Sequence, residues 1–430
     1  MAYLLNKEKI SWAFYDFANS AYILLIPGVA YQIFFKEFIF KENPKASLFW
    51  GLSLTFSALL SAHFAPFLGR ISDIFGLKKK FFIFFSSLTI LFTFFLSFKI
   101  SIFPSYGFLF FSFAQFFYTL SLSFYDSYLK EISNEKEAPL LSGFGWGFGF
   151  LGGIFCFLIT MGYFKEKPTI ENYPLYLKGF FLVALFYLIF SIPSFIFLPD
   201  IKRKKEENLF KFNLKENKKA LKFLIGFFFI MQVITTVIYF TASFLSSNYG
   251  LGPKEILIFT FIVQIIGFFS TWGSGYLGAK FGIKKIFIFT LFIWAFILLS
   301  ISLKVPKLFL IFLCFFLGLT IGSTQSLGRA YLSSLIKKEY SAEYFGFNIL
   351  SGKAGGTLGV FSFGLLSSFI PNTSIPWLLL LLFLIIGGII IHRIELYRMK
   401  FLFCADILLH YILSIYNAPH CQDNFLAFLS

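Results

Sequence analysis

Long apolar runs, separated by short polar segments rich in glycine and lysine, fill the chain from residue 11 to residue 392. A bilayer core takes about 20 apolar residues of helix. On that ruler twelve spans are expected, at 11–35, 46–68, 81–102, 105–129, 140–163, 177–198, 220–246, 254–277, 284–303, 307–331, 343–370 and 375–392. The first run is too long for the apolar core of a cleavable signal, and it carries Asp16 and Asn19, so it is expected to stay as a membrane anchor. The longest polar segment, 200–222, lies between spans 6 and 7 and divides the helices six and six. The pattern predicts an all-α integral membrane protein of 12 transmembrane helices in two six-helix halves, 1–199 and 223–393. A cytoplasmic linker, 200–222, joins them, and a cytoplasmic tail, 394–430, follows without a clean period.

The two halves repeat each other. Gly69-Arg-Ile-Ser-Asp73-Ile-Phe-Gly76-Leu-Lys78-Lys79-Lys80 forms a charged hinge between two apolar runs, and its skeleton returns 206 residues later as Gly275-Tyr-Leu-Gly-Ala279-Lys-Phe-Gly282-Ile-Lys284-Lys285. At an offset of 203 residues, Ser123–Gly153 aligns without gaps on Ser326–Gly356, with eight of 31 positions identical. Tyr128 falls on Tyr331, Leu129 on Leu332, and Gly143, Gly149, Gly152 and Gly153 fall on Gly346, Gly352, Gly355 and Gly356. Such internal duplication is a sequence mark of membrane carriers.

Charge sets the orientation. Charged residues make up only 13% of the chain against 58% hydrophobic, where soluble domains carry about a quarter charged. With both termini inside, the cytoplasmic segments and span ends hold 26 of the 37 Lys and Arg, the external ones ten, and Lys353 lies within a span. That bias is the positive-inside rule at work, so the net charge of +16 reads as topology and no nucleic-acid partner is expected. Nine of the Lys and Arg lie in the linker, which can touch anionic headgroups; a solvated linker is the plainer reading.

Other chemistry is thin. The four cysteines are dispersed, and Cys404, His410, His420 and Cys421 in the tail match no zinc spacing, so neither a disulfide framework nor a metal is expected. No Walker A loop, HExxH or GxSxG occurs, which argues against an ATP-driven pump and membrane hydrolases. No enzymatic activity and no cofactor are expected, with coupling to protons left open.

A few polar residues stand inside the spans. Helical spacing puts Trp12, Tyr15 or Asp16, Asn19 and Tyr22 on one face of the first span. An intramembrane carboxylate costs a few kcal/mol unless it is partnered or wet, which makes Asp16 a functional candidate. Lys353, two to three turns into span 11, can receive an anionic group, pair with Asp16, or snorkel to the interface. Asp126 and Arg329 occupy equivalent repeat positions with opposite charge, and can either close a gate or sit apart in water. Gln115, Gln232 and Gln325 are further candidates for a solute path, although interhelical hydrogen bonds explain each singly. A coupling proton would use Asp16, Asp126 or His63.

The Gly69–Lys80 hinge resembles the signature loop between helices 2 and 3 of the major facilitator superfamily. The resemblance implies that Asp73 holds the halves together on the cytoplasmic side, near Ala342–Phe345, with Gly69, Gly76, Lys78, Lys79, Gly275, Gly282, Asp126 and Arg329 in the gating region. Ala279 stands where a second acid would be, so that lock is expected to be weak or absent. Trp12–Tyr22, Tyr125–Glu131 with Ser142–Gly153, and Gln325–Arg329 with Ser341–Gly359 look like the autophagy-related vacuole effluxer branch of the superfamily. The resemblance implies an alternating-access secondary transporter exporting an amino acid or similar small solute, with helices 1, 4, 7 and 10 around the cavity. It favours a monomer in a prokaryotic plasma (inner) membrane. A non-transporting receptor or lipid-handling scaffold that kept the fold is the alternative, and Ala279 and the unusual tail are what favour it.

Overall fold

Twelve long helices account for most of the described residues. The structure is a computed structural model describing residues 6–394 apart from 42, 44, 203–207, 304–305, 307–308 and 371–373. The tail from 395, with Cys404, His410, His420 and Cys421, and the linker residues Arg203, Lys204 and Lys205 therefore lie outside the described residues. The N-terminal half comprises α1 (Lys7–Ile39), α2 (Ala46–Phe75), α3 (Lys78–Leu96), α4 (Pro104–Ile132), α5 (Ala138–Thr160) and α6 (Tyr173–Phe197). The C-terminal half comprises α7 (Lys218–Tyr249), α8 (Pro253–Phe281), α9 (Ile283–Ser302), α10 (Leu310–Leu335), α11 (Ser341–Phe369) and α12 (Ser374–His392). By their described residues, eleven of these helices are long and apolar enough to cross a membrane. The twelfth, α10, has 26 residues, roughly 39 Å at 1.5 Å per residue.

The helices overrun the apolar spans at the end that carries the hinges. Span 46–68 becomes a helix to Phe75, and span 105–129 one to Ile132. Hydropathy marks the hydrocarbon slab, while the helix continues where Arg70, Asp73 and Glu131 find polar partners. In α1 the regular ladder gives way to π turns at Leu24–Val29 and Phe35–Ile39. Pro27 lies in the first of them, where its missing N–H breaks the usual bonding.

Each half has its own apolar core. Trp12, Tyr22, Tyr31, Phe34, Phe111, Phe180 and Tyr187 belong to the first, and Phe223, Phe287, Trp294, Leu298 and Trp377 to the second. Small residues form the seams between the halves, α2 against α11 and α5 against α8. A methyl group at Gly69 would overlap the Ala342 carbonyl, and one at Gly346 would stand 2.5 Å from the Ala65 carbonyl oxygen. Gly143 and Gly275 meet across the other seam in the same way. Close backbone approach of this kind is what small residues permit in membranes. It brings polar groups at the hinge end within bonding reach.

Candidate functional site

The hinge is built by its glycines and then used by its charges. Gly76 ends α2 with a φ of +67°, a left-handed turn that a residue with a Cβ adopts only at a cost. Gly282 ends α8 with a φ of +100°. One turn before Gly76, the Asp73 carboxylate accepts the first backbone N–H groups of α11, from Ala342 at 3.2 Å and Glu343 at 2.8 Å. These donors have no partner within the helix and carry the positive end of its dipole. Lys78 Nζ completes the group, donating to Glu131 Oε1 at 2.9 Å and Ser341 Oγ at 2.5 Å, with Asp73 Oδ1 3.8 Å away. Beside them Arg70 and Glu343 form a fully buried ion pair at 3.0 Å across the same seam. The linker closes over that pair, since Arg70 donates to the Asn208 carbonyl and Glu343 accepts the Asn213 backbone N–H.

The second hinge lacks this machinery. Gly275 packs against the Pro139 carbonyl as Gly69 packs against Ala342, but Ala279 has no acid to offer. The repeat alignment puts Pro139 at the position of Ala342, and proline has no N–H to give. The acid and one of its two donors are missing together, since Leu140, at the position of Glu343, keeps its N–H. The start of α5 is served locally instead: Asn134 Oδ1 accepts from Lys136 and Glu137, and Glu137 pairs with Lys9 at 3.0 Å.

A second charged cluster lies deeper between the halves. Arg329, on α10, reaches into the N-terminal half and places its guanidinium among Trp12, Asp16, Tyr125, Asp126 and Ser142. Nη1 donates to Asp126 Oδ1 at 2.9 Å, Nη2 to Asp16 Oδ2 at 3.1 Å and to the Ser142 carbonyl at 3.1 Å, and Nε to Ser142 Oγ at 2.9 Å. Its carbon lies 4.4 Å from the Trp12 ring centroid and 5.7 Å from that of Tyr125. Gly145 keeps the space clear, because a Cβ there would stand 2.6 Å from Asp16 Oδ2. Arg329 and Asp16 are buried and Asp126 is partly so, and charge-assisted bonds to both carboxylates offset their desolvation.

The remaining candidates divide. Asn19 is buried next to Asp16, donating to its Oδ1 at 3.5 Å and to the Tyr15 carbonyl at 2.8 Å, while accepting from Tyr118 at 3.3 Å. Tyr15 turns away from the seam: its hydroxyl joins those of Ser86, Ser121 and Tyr187 inside the first core. Gln115 is buried and accepts from Tyr22 at 3.1 Å. Gln232 is buried beneath Gly359, and Gln325 bonds the Ile321 carbonyl of its own helix. His63 is exposed on α2. Lys79 is not at the seam: it donates to the Ile196 and Leu198 carbonyls at the end of α6, within its own half. The pairing of Lys353 with Asp16 is likewise replaced, because Arg329 holds Asp16. Lys353 is half-buried midway along α11, with no ion pair among the described residues. Arg70, Glu131, Ser142, Ser341 and Glu343 emerge only from the structure. The one sequence signal for the Arg70–Glu343 pair was two charges at the edges of facing spans.

The described hydrogen bonds and ion pairs that join the two halves directly all lie toward the hinge end. The protein is therefore closed at that end. A family model described as Major Facilitator Superfamily matches residues 13–360. An uncharacterized MFS-type transporter of Bacillus subtilis, YxiO, is 26% identical over 406 residues, which are 90% of this chain and 94% of that protein. Autophagy-related protein 22 of Kluyveromyces lactis is 20% identical over 304 residues, 63% of this chain and 61% of that protein. In fold, the chain is similar to the transporter FucP in the outward conformation, with a TM-score of 0.72 at 12% identity over 92% of this chain and 100% of that one. The chain belongs to the major facilitator superfamily, and is a multi-pass membrane protein built as a secondary transporter of small molecules.

Proposed function

We propose that this protein exports a small polar organic solute, an amino acid in the first instance, from the cytoplasm by alternating access in a prokaryotic inner membrane. One chain holds both halves, so a monomer suffices, with both termini and the hinges on the cytoplasmic side. The observation that carries this reading is Arg329: the C-terminal half delivers a buried cation onto two carboxylates of the N-terminal half, Asp16 and Asp126. Such a contact is complete when the hinge end is shut and broken when it opens, which is what a gate requires. Asp73 on the start of α11 and the Lys78–Glu131–Ser341 group close the same end. Gly69, Gly76, Gly275 and Gly282 allow the closure, the first and third by close packing and the others by their backbone turns. Lys353, half-buried and without an ion pair among the described residues, is the group that a solute carboxylate would meet. Asp16 and Asp126 are where a coupling proton would bind.

Counterflow of labelled amino acids in proteoliposomes tests the reading. Saturable flux in the wild type, reduced at least ten-fold by Asp16→Asn and by Lys353→Ala at unchanged melting temperature, is the expected outcome. Unchanged flux in both variants removes these residues from the path. No saturable flux for any amino acid, together with a tight protein or lipid partner, returns the chain to a non-transporting receptor or scaffold.

A further inference from the structure

The group that holds Arg329 is a guanidinium receptor made wholly by the other half of the molecule. Asp16 and Asp126 supply two carboxylates, Ser142 a hydroxyl and a carbonyl, and Trp12 and Tyr125 two aromatic faces. Four of the five N–H donors of a guanidinium find acceptors there. The receptor is also assembled without its occupant. Trp12 and Tyr125 stack at 4.7 Å and bond reciprocally, Trp12 Nε1 to the Tyr125 carbonyl at 3.0 Å and the Tyr125 hydroxyl to the Trp12 carbonyl at 2.9 Å. Asn19 braces the second oxygen of Asp16. These bonds stay within the N-terminal half, and of the receptor's groups apart from their bonds to Arg329 only the Ser142 hydroxyl is tied across, donating to the Ser326 carbonyl, so a movement of the halves as bodies withdraws Arg329 and leaves the carboxylates and rings in place.

An empty receptor carries two negative charges and one aromatic wall, and it then faces the cytoplasm. Planar cations suit it: carboxylates meet the N–H edge and the rings meet the face. A metal ion suits it less, since the described residues contain no group of three or more His, Cys, Asp or Glu able to hold one. Resting on the transport reading above, we infer that the open-hinge state binds an organic cation bearing a guanidinium or primary ammonium head in the Trp12–Asp16–Tyr125–Asp126 receptor. Arg329 is the built-in competitor for that site. Occupancy by the solute and closure by Arg329 exclude each other, so the receptor is the first station on the path and Arg329 clears it as the hinge end shuts. The solute class is thereby narrowed from amino acids at large to those with a cationic side chain.

L-Arginine and L-citrulline are the discriminating pair, nearly equal in size but with a neutral ureido group on the second. Binding of each to the purified full chain is measured at matched ionic strength by thermal shift and calorimetry. The wild type is expected to bind arginine at least ten-fold more tightly than citrulline, with Asp126→Asn losing most of that preference. Arg329→Gln, which removes the competitor, is expected to bind arginine more tightly still. Should Arg329→Gln fail to fold, the wild type and Asp126→Asn decide the matter. Equal affinity for the two ligands, or a preference untouched by Asp126→Asn, overturns the inference. So does an Arg329→Gln protein stabilised by acid but not by arginine, because its carboxylates then take protons instead. Counterflow separates the two readings: flux of neutral amino acids without arginine preference sinks the receptor alone, and arginine binding without any flux sinks transport alone.

Discussion

Replacing Asp73 by Asn is the sharpest perturbation of the closed state. The carboxylate accepts two backbone N–H groups from α11, at 3.2 and 2.8 Å. The amide keeps one acceptor oxygen and presents an N–H₂ to the other donor, so one charge-assisted bond of about 1.5–3 kcal/mol is lost. The negative charge facing the helix terminus goes as well, at about 0.3–1 kcal/mol. Lys78 keeps Glu131 and Ser341, so its own loss is small. A net effect of about 2–3 kcal/mol follows, and at ten-fold per 1.4 kcal/mol it moves the closed-to-open ratio about 30–150-fold toward open. Both N–H partners belong to the opposite half, so the effect falls on closure and spares the folding of either half. Spin labels at Lys136→Cys and Lys285→Cys, exposed positions flanking the α5–α8 seam, report the hinge-end separation by electron–electron double resonance. The expected result is a long-distance population that grows at least ten-fold with little change in melting temperature. A distance distribution altered less than three-fold refutes the argument. So does a fall in melting temperature with the short distance retained, since Asp73 would then serve the fold.

Two further perturbations test the seams. Ala279→Asp alone is expected to gain a single bond, from the Leu140 N–H, because Pro139 offers none; adding Pro139→Ala restores the second donor and should favour the closed distance further than the single change, by the same label pair. Gly346→Val places a Cβ about 2.5 Å from the Ala65 carbonyl oxygen and near the Pro66 backbone, so the short hinge-end distance should vanish while both halves stay folded, as read by circular dichroism and gel filtration.

Depth along a helix was readable from the sequence, and rotation about its axis was not. The apolar ruler gave twelve helices, because burial in hydrocarbon fixes length. The resemblance of the first hinge to the superfamily's signature loop pointed Asp73 at the start of α11, and the offset of 203 residues put Asp126 and Arg329 at equivalent positions. Choosing between neighbours failed. Tyr15 and Asp16 are consecutive, about 100° apart on the helix, and only packing decides that Tyr15 turns into the Ser86–Ser121–Tyr187 hydroxyl cluster while Asp16 meets the seam. The sequence offered Lys353 to Asp16 as a partner, and the approach of α10 brings it Arg329 instead. The run Lys78–Lys80 looks uniform, yet Lys78 enters the seam and Lys79 bonds the end of α6. For Gln115 the structure supplies the interhelical hydrogen bond, from Tyr22, that the sequence left as one of two readings.

The closure is polarised in a way that the duplication alone would not produce. Asp16, Asp73, Asp126 and Glu131, all on the N-terminal half, are the acids at the contact, while the C-terminal half brings Arg329, the N-terminus of α11 and the Ser341 hydroxyl. Asp126 and Arg329 occupy the same repeat position, so the two copies carry opposite charge at one site, and the second hinge lacks the acid and one of its two donors. The exception is Arg70 with Glu343, which runs the other way, and it is the pair that the linker holds through Asn208 and Asn213. A pair on which the linker has settled separates only if the linker moves with one half or lets go. Of the two small-residue seams, α2–α11 carries the charged contacts and α5–α8 is held by glycine packing among its described contacts, while Arg329 closes the space between them from α10. Buried ions are screened little by salt, so closure set in this way resists ionic strength and yields to whatever competes for Asp16 and Asp126 from within.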